Sequence, residues 1–520
     1  MCPNVCIGSL AFLASIVLCS AKDVIVIGAG ISGLAAARRL VDFGGIDVKI
    51  LEARPDRYGG RIHTDWKTFN NEIPLDLGPA WIHGAGEDNP LVGLAKNHSI
   101  SMFSTDTVKG TRWSSANSTP YKDDLFIQTG VEFIDMMFSV SEMSQAWSED
   151  KSLEEAIKLT SFSVTASDPL MQLFTSSIIM AGTGADVDHI SAKFMDSGES
   201  FEGPETVLPK GMSQIIDSIV EGKDGSTKLS VDLDKEVRKI SVKGNKVVVK
   251  TADGNQHKTD SVIVTVPLSV LQASKIDFQP PLSADRTKAM KKLGVGVFNK
   301  IFLEFEEVFW NKDEHYFGLA PVNQTDMGLL NSWFNLYVTT QKPILVGFLY
   351  GQNAIEAESW SDQQAKDTAL DVLSGMFGDV VRTKTVKSMT RTKWYSDKYS
   401  RGAFSYYPVG ATPDDRRSAF QPVEPFIYFA GEHVDVDYFG SLHGAYMSGN
   451  AAADKIIESI VSKQQKSTKQ RSNNTKDFAG KQQRHMATAA SANQSSASHT
   501  NLTLYSLLLL IYGYECIVRT

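Results

Sequence analysis

Residues 24–61 constrain this chain most. They read VIVIGAGISGLAAARRL and, further on, VKILEARPDRYGGR, which puts Gly28, Gly30 and Gly33 in the spacing G-x-G-x-x-G. An apolar run precedes the glycines and a helix-like run follows. Glu52 ends a second apolar run, 24 residues after Gly28. Strand, glycine turn, helix, strand and acid in this order make a dinucleotide-binding unit. Gly28 lets the chain turn sharply, Gly30 lets the backbone approach a pyrophosphate, and Gly33 lets the helix pack close to the strand. The helix N-terminus offers free N–H groups and a partial positive charge to the phosphates. Glu52 is placed to accept hydrogen bonds from a ribose.

The 520 residues leave room for two or three domains. Net charge is −8, and there is no basic stripe, which argues against a nucleic-acid partner. The ends read as targeting segments. Val5 to Leu18 is almost wholly apolar, and the small residues Cys19, Ser20 and Ala21 suit cleavage after Ala21. Residues 1–21 are therefore read as a signal peptide, although no Lys or Arg precedes the apolar run, and an uncleaved anchor is the alternative. Residues 462–501 are polar and rich in Gln, Ser, Lys, Asn and Ala, the composition of a disordered linker. Residues 502–520 form an apolar tail; with the small residues and polar spacer before it, the tail resembles a GPI-attachment signal. A transmembrane tail and an unanchored secreted chain are the alternatives, since Glu515 and Arg519 weaken the signal. The expected location is thus secreted or at the cell surface, with membrane attachment through the tail.

The four cysteines, Cys2, Cys6, Cys19 and Cys516, all lie in these ends. The body needs no disulfide, holds no cysteine–metal site and has no thiol to link to a cofactor; no metal is expected. Sequons at Asn97, Asn117, Asn323, Asn473, Asn493 and Asn501 suit a secreted glycoprotein.

Helix-like stretches are predicted at Gly130 to Trp147, Ser152 to Lys158 and Asp362 to Phe377. Alternation in Val247–Thr251 and the turn at Asp253-Gly254 indicate a hairpin. VFNKIFLEF and PILVGFLYG read as strands. The expected fold is mixed α/β: a Rossmann-like nucleotide domain assembled from distant segments, plus a mixed-sheet substrate domain. Its boundaries are read as 22–90, 221–285 and 396–461 for the nucleotide domain, and 91–220 and 286–395 for the substrate domain.

Separated motifs over residues 22–460 resemble the flavin-containing amine oxidase family, and within it the polyamine and spermine oxidases. They are GAGISG, LEA with RYGGR, DLGPAWIHG, DSVIVTVPLSVL, FNKIFLEF, TKWYSDKYSRGAFSY, and YFAGEH with GSLHGAYMSG. The resemblance implies a non-covalent FAD. It puts Ser32 at the pyrophosphate, Glu52 on the ribose, Arg61 near the phosphates, Gly78 to Trp81 along the isoalloxazine ring and Val237 at the adenine. Trp394 would pack on the flavin, Glu432 would hold its ribityl or phosphate end, and the helix after Ser441 would face the pyrimidine edge. Lys300 would reach the flavin through a water, and His83 would stand near the reacting nitrogen, neutral and able to share a proton. Phe404, Phe298 and Ser441 would line the amine path. Ser441 and His83 are similar to the animal, recycling type of enzyme.

One departure concerns charge. Many relatives carry acids just before the stretch matching Gly184-Ala185-Asp186, and Met180 to Thr183 has none. Glu87, Asp88, Glu199, Glu202 and Glu205 are the substitutes, with no choice among them from sequence. The implied reaction oxidises a secondary amine of spermine, spermidine or an acetylated form to an imine. Water splits the imine to an aldehyde and a shorter amine, and O2 becomes H2O2. An L-amino-acid oxidase would need an arginine clamp, and none flanks WIHG, FNKIF or GSLHG. A lysine demethylase would need a nuclear address, and a flavin-binding surface protein without activity would not need Lys300 and His83. Oligomeric state, preferred polyamine and the side of the nitrogen attacked are not legible.

Overall fold

A computed structural model describes residues 22–479 apart from 70–72, 224 and 322. The signal-peptide reading and the apolar tail lie outside the described residues.

The nucleotide half is a five-stranded parallel sheet. Its order runs from Ile427–Phe429 through Ser261–Val264, Lys22–Ile27 and Ile46–Leu51 to Val231–Asp232. Three distant chain segments therefore build one sheet. The strand Lys22–Ile27 alternates between two cores, and both faces are covered, as a parallel sheet requires. Val24 and Val26 pack with the helices Ile31–Phe43, Ser213–Glu221 and Leu442–Ala479. Ile25 and Ile27 pack with a second sheet of order Gln256–Thr259, Lys246–Thr251, Val237–Lys243, Asp277–Gln279. The predicted hairpin is there, its turn held by Asp253, which accepts from the Asn255 N–H at 3.1 Å.

The second half is a six-stranded sheet of order Val386–Arg391, Phe298–Phe305, Ile344–Tyr350, Leu329–Asn335, Tyr316–Ala320, Gly110–Ser114. Its strands are antiparallel except for the last pair. Residues of odd number in Phe298–Phe305, such as Ile301 and Leu303, pack under the helix Asp362–Phe377. Phe302 faces the helices Asp123–Gln145, Leu153–Leu159 and Pro169–Phe174. A strand alternates its side chains, so Phe298 and Lys300 share the face of Phe302. Opposite them stand Tyr350, Phe348 and Val346.

Two elements differ from their sequence reading. The helix predicted from Gly130 begins at Asp123, because Asp123 and Asp124 in its first turn suit the helix dipole. The C-terminal helix runs to Ala479, through the first part of the stretch read as a disordered linker. Lys, Gln and Arg propagate a helix well once it is nucleated, and Leu442–Ile460 supplies that nucleus by packing on the core.

Candidate active site

A single cavity of about 2010 Å³ runs from the glycine turn into the six-stranded sheet. Every residue given a place at the cofactor or along the amine path lines it except Gly33. Gly33 lies underneath, where a Cβ would run into the Gly28 carbonyl oxygen. Gly28 itself has φ +105°, a conformation that favours glycine.

At the nucleotide end the helix Ile31–Phe43 begins at Gly30, with no side chain capping its amides and no acid in its first turn. The amides are thus left to an anion. Glu52 is 6% exposed. It accepts from the Ala29 and Arg54 N–H groups, both at 2.8 Å, which aims the carboxylate along the cavity edge. Val237 is buried at the wall and Ser32 is buried beside the helix start. Arg61 donates to the Glu432 carboxylate at 2.9 Å and to the Ala403 carbonyl at 2.6 Å. Glu432 also accepts from the Ser405 N–H and hydroxyl, at 3.1 and 2.6 Å. Burial works to raise its pKa, but the Arg61 charge and these bonds hold it down at about 2. An uncapped helix end, a pinned carboxylate and an arginine on a long cavity fit a dinucleotide.

In the middle of the cavity lies Lys300, 4% exposed. Its ammonium donates to the carbonyls of Asp76 at 2.8 Å and Gly78 at 2.6 Å and lies 5.8 Å from the centre of the Trp81 ring. Burial lowers its pKa to about 8, with Asp76 pulling the other way. Trp394 donates its indole N–H to the Leu77 carbonyl at 3.0 Å. Three successive carbonyls, Asp76 to Gly78, therefore hold Lys300 and Trp394 beside one another. A Cβ at Gly78 would run into the Arg61 carbonyl, so only glycine lets this segment pass.

Beyond Lys300 the walls turn aromatic. Phe298 stands 4.8 Å from Tyr350, 5.6 Å from Phe348 and 6.4 Å from Phe404, centre to centre. Ser441 lines this part, but its hydroxyl is used: it accepts from the Gly444 N–H at 2.9 Å and donates to the Tyr438 carbonyl at 2.7 Å. It caps the last helix, which begins at Leu442, and leaves the cavity its small size rather than a hydrogen-bonding group.

His83 stands beside a carboxylate. Its Nδ1 is 2.5 Å from a Glu205 carboxylate oxygen, and the imidazole lines the cavity. The Glu205 charge raises the His83 pKa, although burial opposes it. Burial works to raise Glu205, yet the His83 charge and hydrogen bond bring it down on balance. Of the five candidate acids, Glu199, Glu202 and Glu205 line the cavity. Glu87 is 86% exposed and paired with Lys96 on the surface.

The family description "Flavin containing amine oxidoreductase" matches residues 31–457. The chain belongs to this family. It is 33% identical over 467 residues to Polyamine oxidase 4 of Oryza sativa subsp. japonica, covering 85% of this chain and 90% of the relative. It is 32% identical to Polyamine oxidase 2 of Arabidopsis thaliana, covering 83% and 87%. The fold is similar to that of a solved putrescine oxidase bound to putrescine, with TM-score 0.68 and 22% identity over 84% of this chain and 99% of that one. The enzyme is an FAD-dependent amine oxidase of mixed α/β fold, as the motifs imply.

Two residues at the site carried no assignment from sequence. Glu205 stood among five acids, and only the pairing of Trp81–Ile82 with Glu205–Val207 selects it. Asp76 was quoted within DLGPAWIHG without a role; its place next to the cavity-lining Gly78 was the signal.

Proposed function

We propose that the enzyme oxidises a secondary amine of a polyamine (spermine, spermidine or an acetylated form) to an imine. Water splits the imine to an aldehyde and a shorter amine, and O2 leaves as H2O2. One observation carries this reading. Past Lys300 the cavity continues between aromatic walls and reaches Glu205, a carboxylate beside an ionisable imidazole. A long flexible cation needs such a path: aromatic faces along its methylenes and ammonium groups, and a carboxylate for the charge that stays outside the reacting centre. The printed names of the polyamine oxidase relatives support the same substrate class.

Bound FAD supplies the two-electron acceptor. The chain's residues do the rest. The apolar walls favour the neutral amine, the form with a lone pair to support oxidation. Lys300 keeps a third N–H beyond its two carbonyl bonds, and can hold a water or pass a proton. On the substrate side Arg112 is engaged: it donates to the Thr107 and Gly110 carbonyls and lies over Phe126. A carboxylate-bearing amino acid therefore lacks a free clamp, which weighs against an L-amino-acid oxidase. FAD is proposed to be non-covalent, since the body has no cysteine. His83 and Ser441 favour the recycling direction, from spermine toward spermidine.

Addition of spermine, spermidine and their acetylated forms is expected to release peroxide, with products read by mass spectrometry. Peroxide from none of them overturns the proposal, and yellow colour left on acid-precipitated protein overturns non-covalent binding. The pH dependence has a definite sign. Below the raised His83 pKa the imidazolium occupies Glu205; above it the carboxylate is free for a substrate ammonium. Amine affinity should therefore rise with pH through that pKa, and His83→Ala should flatten the rise. An identical profile in the variant would remove His83 from the site.

Secretion is proposed on the apolar N-terminus and on the exposure of the sequon asparagines Asn97, Asn117 and Asn323. Endoglycosidase treatment of secreted protein should lower its mass; bare asparagine at all three positions counts against it.

A further inference from the structure

Lys300 rests on backbone, and that backbone is itself held. The Asp76 carboxylate accepts from the Met212 N–H at 2.9 Å and from the Thr64 hydroxyl at 2.5 Å. The Thr64 oxygen in turn accepts from the Ser213 N–H at 3.0 Å. These amides open the helix Ser213–Glu221, so Asp76 places a negative charge at a helix N-terminus. The Leu77 N–H donates to the His63 carbonyl at 2.9 Å, which locks the segment from its other side. The same residue thus ties a helix and a strand through its side chain and offers Lys300 an acceptor through its main chain.

We propose that Asp76 is the positioning residue for Lys300: its carboxylate anchors the carbonyl segment Asp76–Gly78 under the ammonium and brings a negative charge to the segment that holds it. The inference rests on Lys300 standing at the reacting end of the cavity. Among the described residues, Asp76 is the ionised group that acts on Lys300, and Lys300 the one that acts on Asp76. The neighbours of Lys300 from the flanking strands are uncharged. Phe348 stands opposite it, Thr392 accepts from its main-chain N–H at 2.8 Å, and Trp81 covers it. Burial pushes the Asp76 carboxyl up to about 6, so it is ionised over the range in which Lys300 titrates.

The test uses Asp76→Asn in the FAD-loaded enzyme. The carboxamide keeps the size and an acceptor for Met212 and loses the charge. Competitive acetylation of Lys300 with acetic anhydride, read by peptide mass spectrometry across pH, reports its titration without any substrate. The Lys300 midpoint is expected to fall by about 1 pH unit. The corresponding limb of amine-driven flavin reduction should fall with it. An unmoved midpoint in folded Asp76→Asn overturns the proposal; a merely structural role would change stability and leave the midpoint in place. If that variant does not fold, Asp76→Glu decides. It keeps the charge but displaces the carbonyls, so the midpoint should stay while turnover drops roughly 10- to 100-fold. Wild-type turnover in Asp76→Glu overturns the proposal. A shifted midpoint in an enzyme that makes no peroxide from any polyamine sinks the functional reading instead, and leaves the role of Asp76 standing.

Discussion

Lys300→Met is expected to keep bound FAD, to slow flavin reduction or reoxidation by about 10²- to 10⁴-fold, and to make the protein more stable at neutral pH. The two effects have one cause. The ammonium is 4% exposed, and its pKa is pulled from 10.5 to about 8 by burial. The fold prefers the neutral amine. At neutral pH the lysine is nevertheless charged, at a cost of about 3 kcal/mol on the scale that relates pKa to free energy. Its bonds to the Asp76 and Gly78 carbonyls offset about 1 kcal/mol each. Methionine fills similar space without the charge, and Asp76, whose pKa burial already raises to about 6, takes up a proton in place of its lost partner, so a net gain on the order of 1 kcal/mol is expected. Because the pKa is lowered in the fold, the penalty is full below about 8 and vanishes as pH rises through 10.5. Denaturant unfolding of both proteins at neutral and alkaline pH reads this. A variant less stable at pH 7, or unchanged rates for both flavin half-reactions, would contradict a functional lysine held against the preference of the fold.

Glu432→Gln is expected to destabilise the protein by about 3 kcal/mol or more and to release FAD. The carboxylate is 6% exposed and serves Arg61 and Ser405 at once. Arg416, fully buried, shares the Ser405 hydroxyl at 2.9 Å. Removing the one negative charge leaves Arg61 beside a neutral amide. Because the Glu432 pKa lies near 2, its contribution is present above the ordinary carboxylate range and is lost as pH falls through about 2. The paired variant Arg61→Met with Glu432→Met separates the two roles. Stability should largely return, since two apolar groups leave no unpaired charge, while FAD should not. Retention of FAD by Glu432→Gln at the wild-type level would remove this residue from the cofactor site.

Both residues were legible as motif positions, but their working state was not. FNKIFLEF marks a strand, and alternation puts Lys300 on the face of Phe298 and Phe302. Nothing in eight residues tells that this face looks onto the Asp76–Gly78 carbonyls, which lie more than 220 positions away. Arg61 and Glu432 meet across 371 positions, and His83 and Glu205 across 122. The His83–Glu205 contact is the plainest case. WIHG by itself says nothing of the carboxylate that raises the His83 pKa. Ser441 shows the reverse: a residue read as substrate-facing spends its hydroxyl on the helix that begins at Leu442. The helix that runs to Ala479 had a polar composition of its own and was extended by the packed turns before it.

What the sequence determined by itself is the nucleotide cradle and the kind of elements around it. Gly28, Gly30 and Gly33 act through sterics within a few bonds, and the strands and helices act through periods of two and 3.6, so both can be read from adjacent letters. The tertiary structure alone decided which groups carry charge. Desolvation and Coulomb interactions depend on what stands within a few ångströms in space. Only the folded sheets bring Asp76 under Lys300, Glu205 to His83 and Glu432 to Arg61.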